Sequence, residues 1–470
     1  MSSLSDVFKA YDIRGTVPDQ LSPERFRAIG AAVARFTGGP RLLVARDMRN
    51  SGVALSAAFS DGARSEGVAV VDLGLASTDM LYFAAGSLDA PGAMFTASHN
   101  PAAYNGLKLC LAGARPIGRD TGLAEIEATA EALLAAWGSS GPPPVDPAAL
   151  APREERSVLD AYAEHVRSFV DRDRLRPLVV VADTANGMGG LVVPAVFAGL
   201  PFEVDILYPE LDGTFPNHPA DPIQPENLVA LKQAVLDHGA DVGLAFDGDA
   251  DRVFLVDERA EPVSGSLTTA LVASSMLAKH PGATVLYNCI SSRVVPEVIA
   301  ESGGVGVRTR VGHSFIKQVM ADTGAVFGGE HSGHYYFRDN YRADSGIIAA
   351  LVVLELLSVT GRPLSELLRP YRRYAASGEI NTEVPDPAAT VEAMAAEVEA
   401  AGGELGISDR LDGLTVDRGD WWYNLRPSNT EPLLRLNVEA PDDATCARRV
   451  EEVQAALARL ADRERKGSPS

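Results

Sequence analysis

Three cysteines in 470 residues, Cys110, Cys289 and Cys446, are too few and too scattered for a disulfide framework or a paired metal site. That scarcity fits a reducing cytoplasm. Positive charge is also short: 42 Lys and Arg stand against 63 Asp and Glu, a formal net charge of −21. A broad nucleic-acid-binding face needs clustered Lys and Arg, so the balance argues against one. It leaves room for a local basic pocket that takes small phosphorylated ligands. Long apolar runs are missing as well. The longest, residues 347–357, is short of a membrane span and is interrupted by Glu355. Residues 1–14 lack the apolar core of a signal peptide. The expectation is a soluble cytoplasmic protein with no membrane or nucleic-acid partner.

What is present is ordinary globular composition, 46% hydrophobic and 22% charged, in a chain too long for one core. Three or four domains are expected. The 43 glycines and 30 prolines suit many strand-to-loop turns rather than a helical bundle. The clearest linker is Gly138-Ser139-Ser140-Gly141-Pro142-Pro143-Pro144, which continues neither a helix nor a central strand. After it, residues 154–170 carry helical spacing at Tyr162, Val166 and Phe169. Further boundaries fall near 258–262 and at Ala375-Ala376-Ser377-Gly378.

These cuts expose an internal similarity. Apolar strands at 42–47, 178–183 and 284–288 each begin a unit, followed by a polar turn and a helix-like stretch. Each unit later yields another apolar strand ending in a conspicuous loop. The loops are Thr96-Ala97-Ser98-His99-Asn100-Pro101, Asp247-Gly248-Asp249-Ala250-Asp251-Arg252 and Gly328-Gly329-Glu330-His331-Ser332-Gly333-His334. Continuous apolar strands alternating with helical patterns indicate α/β units, whose ligands gather at the carboxyl ends of strands. Three such units can aim three loops at one cleft.

Each loop has a chemical reading and a plain one. Ser98 offers a hydroxyl that needs an activating neighbour to act as a nucleophile, or it caps a turn. Asp247, Asp249 and Asp251 repel one another unless a cation sits among them, and hard oxygen ligands suit Mg²⁺; the alternative is a solvated acidic turn. Glu330, Ser332 and His334 at every second residue suit sugar hydroxyls, and the spacing alone equally allows a catalytic or a purely structural loop. His313 either starts a helix or faces a ligand. Near the C-terminus, Arg426-Pro427-Ser428-Asn429-Thr430 follows a tryptophan-bearing strand at 421–425. It reads as a phosphate clamp or as a proline-bounded turn. Arg14, in Tyr11-Asp12-Ile13-Arg14-Gly15, and Lys108 add basic groups, which singly are surface charges more often than ligands.

Together and in this order the motifs resemble the α-D-phosphohexomutase family, the bacterial phosphomannomutases and phosphoglucomutases, over nearly the whole chain. The tract from Gly329 through His334-Tyr335-Tyr336-Phe337-Arg338-Asp339 is most similar to the phosphomannomutase branch. The resemblance implies four domains: three similar α/β units with mixed sheets and a smaller C-terminal α+β domain around a central cleft. The cuts then become 1–141 with the phosphoserine loop, 152–256 with the metal loop, 257–374 with the sugar loop and 375–462 with the phosphate loop. It further implies phosphoserine at Ser98, with Mg²⁺ held by Asp247, Asp249, Asp251 and the phosphoserine. Glu330 and Ser332 would bind sugar hydroxyls, and Arg426, Ser428, Asn429 and Thr430 the phosphate that is not reacting. Arg14, Lys108 and His334 would supply charge and proton transfer, with Arg252 and His313 lining the cleft.

The implied reaction interconverts mannose 1-phosphate and mannose 6-phosphate through a hexose 1,6-bisphosphate, by a monomer or homodimer. A phosphoglucomutase or dual mannose/glucose mutase is the close alternative, with phosphoglucosamine mutase behind it. An aspartyl-nucleophile phosphatase, with Asp247 as the covalent residue, and a non-catalytic sugar-phosphate sensor are rivals of other classes. One departure stands out. Some relatives carry lysine where this chain has Ile290, so part of the phosphate-facing charge must come from Arg293 or elsewhere.

Overall fold

The computed structural model describes residues 3–144, 146–401, 406–428 and 433–467, without the side chains of Ser139, His313, Ala401, Ile407, Ser408 and 461–467. It holds four sheets. The first is seven-stranded, in the order Ile13–Thr16, Tyr104–Leu111, Gly92–Phe95, Arg41–Arg46, Ala69–Leu75, Arg153–Glu155, with Arg115–Pro116 beside Tyr104–Leu111. The second runs Pro262–Val263, Val253–Asp257, Val242–Phe246, Leu178–Asp183, Phe202–Leu207. The third is Val305–Thr309, Thr284–Asn288, Phe327–Gly329, Tyr335–Phe337. The fourth is antiparallel throughout: Ala375–Glu383, Leu433–Ala440, Trp422–Pro427, Leu414–Asp417, Ile407–Asp409.

The first three sheets share one local plan. Gly92–Phe95 is parallel to Arg41–Arg46 on one side and antiparallel to Tyr104–Leu111 on the other. Val242–Phe246 stands in the same way between Leu178–Asp183 and Val253–Asp257, and Phe327–Gly329 between Thr284–Asn288 and Tyr335–Phe337. In each case the antiparallel neighbour is the next strand of the chain, so a reversal at the carboxyl end joins the two. Those three reversals are the Ser98, Asp247 and Glu330 loops.

Packing on both faces makes these strands apolar without alternation. In the first sheet, Leu42 and Val44 join Phe26, Phe59 and Phe95 under the helices Pro23–Thr37 and Gly52–Ser65. Leu43 and Ala45 point the other way, into a core that continues through Val180, Leu244, Val272, Val285 and Ile347. One hydrophobic interior therefore spans the first three units. The fourth has its own, around Leu414, Tyr423, Leu436 and Val453.

The helix Gly346–Thr360 is apolar on every side and lies inside the shared core. Its 15 residues rise about 22 Å. Among the described residues no single helix is long and apolar enough to cross a membrane. One segment differs from its expected form. Helical spacing across 154–170 gives way to a short exposed strand, Arg153–Glu155, on the edge of the first sheet, and the helix begins only at Leu159. Three consecutive charged residues at the strand have no apolar face to bury, and a solvated sheet edge accommodates them.

Candidate active site

Ser98 leaves the strand Gly92–Phe95 in the left-handed region, φ 48°, which a serine adopts only when its surroundings impose it. The imposing group is Arg49, whose side chain is fully buried. It pairs with Asp47 at 3.2 Å and donates to the carbonyls of Ser98 (2.8 Å), Asn100 (2.6 Å), Pro101 (2.8 Å) and Tyr104 (2.9 Å). One guanidinium thus gathers the carbonyls of the whole loop. The Ser98 N–H donates to Thr96 Oγ1 at 2.9 Å. Arg49 was not among the sequence candidates, although it follows the carboxyl end of Arg41–Arg46 just as the motif loops follow their strands.

So held, the Ser98 hydroxyl reaches into the second unit. Oγ donates to Asp247 Oδ2 at 2.7 Å and accepts from Arg252 Nη2 at 3.0 Å. Arg252 also binds Asp247 through Nε at 2.9 Å and donates to His99 Nδ1. Burial, reinforced by Arg252 and Arg14, lowers the His99 pKa well below that of ordinary imidazole. Gly248 makes the approach possible: a Cβ there would lie 2.4 Å from the Ser98 carbonyl oxygen.

Asp247, Asp249 and Asp251 are all buried, and ligand oxygens of the three lie within 4.8 Å of one another. Lys108 Nζ bridges Asp249 Oδ2 (2.8 Å) and Asp251 Oδ2 (2.7 Å), and Thr78 Oγ1 donates to Asp249 Oδ2 at 2.6 Å. Burial pushes the Asp247 carboxyl up to about 7, against Arg252 and with the help of its two acidic neighbours. For Asp249 burial acts in the same direction, but Lys108 outweighs it and holds the group well below the usual carboxylate range. Asp249 Oδ1 and Asp251 Oδ1 are buried without a hydrogen-bond partner. Buried acceptors left unsatisfied beside a third carboxylate fit a hard divalent cation.

The third loop meets this centre through His334. Its Nδ1 is 2.9 Å from Asp344 Oδ2 and 3.7 Å from Asp251 Oδ1. Burial lowers its pKa, but Asp251 and Asp344 reverse the sign and leave it raised. Asp344 is itself paired at 2.9 Å with Lys317, a buried lysine 3.7 Å from the Tyr82 ring centroid. Neither Asp344 nor Lys317 lies in a recognisable motif. Glu330 is held on three sides: Oε1 accepts from Asn288 Nδ2 and the Gly312 N–H, both at 3.2 Å, and Oε2 from the Tyr336 hydroxyl at 2.7 Å. Oε1 uses both lone pairs in this way, and Oε2 keeps a second one. Ser332 is half-buried beside it.

Arg14, opposite Gly106 in the first sheet, donates to Asn100 Oδ1 and to Asp12 Oδ2, both at 2.6 Å, and its Nε is buried without a partner. Arg426 ends the strand Trp422–Pro427, pairs with Glu379 at 2.8 Å, and likewise has an unpartnered buried Nε. The Ser428 N–H donates to the Leu433 carbonyl at 2.8 Å, and its hydroxyl accepts from Arg435 at 3.3 Å. Asn429 and Thr430 lie outside the described residues, as does the side chain of His313, which opens the helix His313–Thr323. The loop before that helix joins three units. Tyr11 donates to the Val311 carbonyl at 3.4 Å, the Val311 N–H to Asp412 Oδ2 at 3.0 Å, and the Gly312 N–H to Glu330. Ile290 is buried, and Arg293 is turned to the fourth unit, on Asp417 and the Gly419 carbonyl, both at 2.6 Å.

Four phosphoglucomutase/phosphomannomutase family models match the chain: alpha/beta/alpha domain I over residues 5–136, domain II over 160–261, domain III over 264–374 and the C-terminal domain over 379–456. Among curated proteins, the chain is 43% identical to "Phosphohexose mutases" of Xanthomonas campestris, over 93% of this chain and 95% of that one. It is 40% identical to a Salmonella montevideo "Phosphomannomutase", again over 93% and 95%. Among solved structures, a Burkholderia thailandensis phosphoglucomutase/phosphomannomutase family protein superposes with TM-score 0.85 at 31% identity, covering 98% of each chain.

Proposed function

The chain belongs to the α-D-phosphohexomutase family and is a phosphohexose mutase, an isomerase, and on that footing we propose that it interconverts mannose 1-phosphate and mannose 6-phosphate through a phosphoserine and a hexose 1,6-bisphosphate. The observation that carries the reading is the 2.7 Å bond from Ser98 Oγ to Asp247, next to two buried carboxylate oxygens without a hydrogen-bond partner. It supports reading the serine and the acidic trio, which come from separate units, as one phosphoryl-transfer site.

Phosphoserine 98 gives its phosphoryl group to the free hydroxyl of the hexose phosphate. The bond from Oγ to phosphorus breaks, and Arg252 Nη2, 3.0 Å from Oγ, stabilises the charge left on the serine oxygen. His334, its Nδ1 fixed by Asp344, offers Nε2 to take the proton of the attacking sugar hydroxyl. Asp247, Asp249 and Asp251, with an oxygen of the phosphoserine, would hold Mg²⁺, which neutralises charge on the transferring group. Lys108 and Arg14 add positive charge at that point. Glu330 and Ser332 bind sugar hydroxyls; Arg426, Ser428, Asn429 and Thr430 grip the other phosphate, with His313 on the cleft wall. The bisphosphate then reorients and returns its second phosphate to Ser98. We place the unit boundaries at 1–141, 152–256, 257–374 and 375–462, and the enzyme in the cytoplasm as a monomer or homodimer.

Phosphorus NMR tests the reading, with Mg²⁺, a trace of hexose 1,6-bisphosphate, and mannose 1-phosphate or glucose 1-phosphate in parallel tubes. A growing 6-phosphate signal is expected, fastest with mannose; equal rates would establish a dual enzyme, in keeping with the broader name of the Xanthomonas relative. Ser98→Ala should be silent. Persistent turnover in that variant, with free phosphate released, would transfer the covalent role to Asp247 and overturn the mutase mechanism.

A further inference from the structure

Ile290 leaves a gap in positive charge that the neighbouring cations do not fill, because each is at least partly committed elsewhere. Arg293 is paired with Asp417, Arg308 with Asp409 and Arg435 with Glu379; Arg426 shares Glu379 but keeps a buried Nε without a hydrogen-bond partner. Arg310 differs. It is exposed at the carboxyl end of Val305–Thr309, and among the described residues it has no carboxylate in ion-pair reach. Its Cζ stands 4.6 Å from the Phe315 ring centroid, and Phe315 meets Tyr11 edge-on at 5.8 Å. Stacking occupies the face of a guanidinium and leaves its N–H edges open for two-point contact with an oxyanion.

The next two residues are pinned by Tyr11, Asp412 and Glu330, so the position is fixed by three units at once. Asp412, which holds the Val311 N–H, is followed by Gly413, and Gly413 lies against Arg426. A Cβ on Gly413 would stand 2.7 Å from Arg426 Cα, so the Arg310 turn and Arg426 approach each other through Asp412. We propose that Arg310 binds the non-reacting phosphate of the hexose phosphate together with Arg426, supplying the charge that lysine supplies in relatives with that residue in place of Ile290. The assignment rests on the mutase reading and names a substrate-binding residue within it.

The test uses the full-length enzyme with Mg²⁺. Arg310→Ala should raise KM for mannose 1-phosphate and glucose 1-phosphate alike by about tenfold or more, with a smaller change in kcat. Ile290→Lys, added to Arg310→Ala, should recover most of that loss, which a merely structural arginine would not allow. A KM for Arg310→Ala within about twofold of wild type overturns the proposal. So does a loss confined to kcat that Ile290→Lys leaves untouched. Calorimetric titration of hexose 1-phosphate into wild type and Arg310→Ala separates the two readings. If wild type binds but does not turn over, the mutase reading fails, while a tenfold or greater affinity difference (about 1.4 kcal/mol) still supports Arg310. Equal affinities overturn Arg310 alone, and a wild type that binds no hexose phosphate overturns both.

Discussion

Gly248 is the residue on which the contact between the two central loops turns. A methyl group there would sit 2.4 Å from the Ser98 carbonyl oxygen, and the backbone on the far side is already engaged, since the Gly248 carbonyl accepts the Met188 N–H at 2.8 Å. Gly248→Ala must therefore push the serine loop away from Asp247. We expect turnover to fall at least about 100-fold, because a misplacement of about 1 Å in a reacting group costs that much, with stability lowered by about 1–3 kcal/mol. Steady-state rates beside thermal melting check this; a variant with unchanged kcat would show that the loops need not touch. At this scale the sequence was legible only where chemistry is local. Ser98 and the three aspartates follow apolar strands directly, and their spacing carries the signal. Arg49, Asp344, Lys317 and Thr78 act through partners distant in sequence. Thr78 meets Asp249 across 171 residues, and no window of sequence contains that contact.

Among elements, the three strand reversals position the loops, and a buried carboxylate ties the elements behind them. Asp79, in the helix Thr78–Ser87, accepts from Ser77 at 2.5 Å, from Tyr162 at 2.6 Å and from Ser345, the cap of Gly346–Thr360, at 2.6 Å. Burial raises its pKa to about 6, against those three hydroxyls. An acid raised above its unfolded value binds more protons folded than unfolded between the two. Its contribution is present at low pH and is lost as pH rises from about 4 to about 6, amounting to about 3 kcal/mol. Asp79→Asn should abolish that loss. Denaturant titrations of both proteins across this window should diverge below pH 6, wild type gaining relative to the variant as pH falls; parallel curves would refute the assignment. The strands themselves were readable, 178–183 and 284–288 to the residue, because burial on both faces leaves an unbroken apolar run. Arg153–Glu155 was not, since an exposed three-residue edge strand has no such run and its pairing is set by the sheet it joins.

Across the whole molecule, three units share one interior while the fourth keeps its own and docks through polar contacts. Arg293 reaches Asp417, Gly419 and, through its N–H, Glu439; Arg308 reaches Asp409 and Thr415. Because phosphoryl transfer to sugar requires water to be kept out, loosening this seam should favour hydrolysis. The double variant Arg293→Ala/Arg308→Ala is expected to release several-fold more inorganic phosphate per 6-phosphate formed. Phosphorus NMR gives both signals, and an unchanged ratio would show that closure does not depend on these arginines.

The helix Gly346–Thr360 meets the Asp247–Arg252 loop at its first residue, where a Cβ would lie 2.6 Å from the Arg252 carbonyl carbon. The rest of it is wrapped by the second and third units, and its cap is a serine bonded to the first. A flaw in its later turns, away from Gly346, leaves the chemistry intact in every molecule that folds and reduces how many fold. In a cell the survivors would work at full rate while the remainder went to chaperones and proteases. Inherited changes there would thus mimic a shortage of enzyme, whereas changes in the loops would mimic a different enzyme.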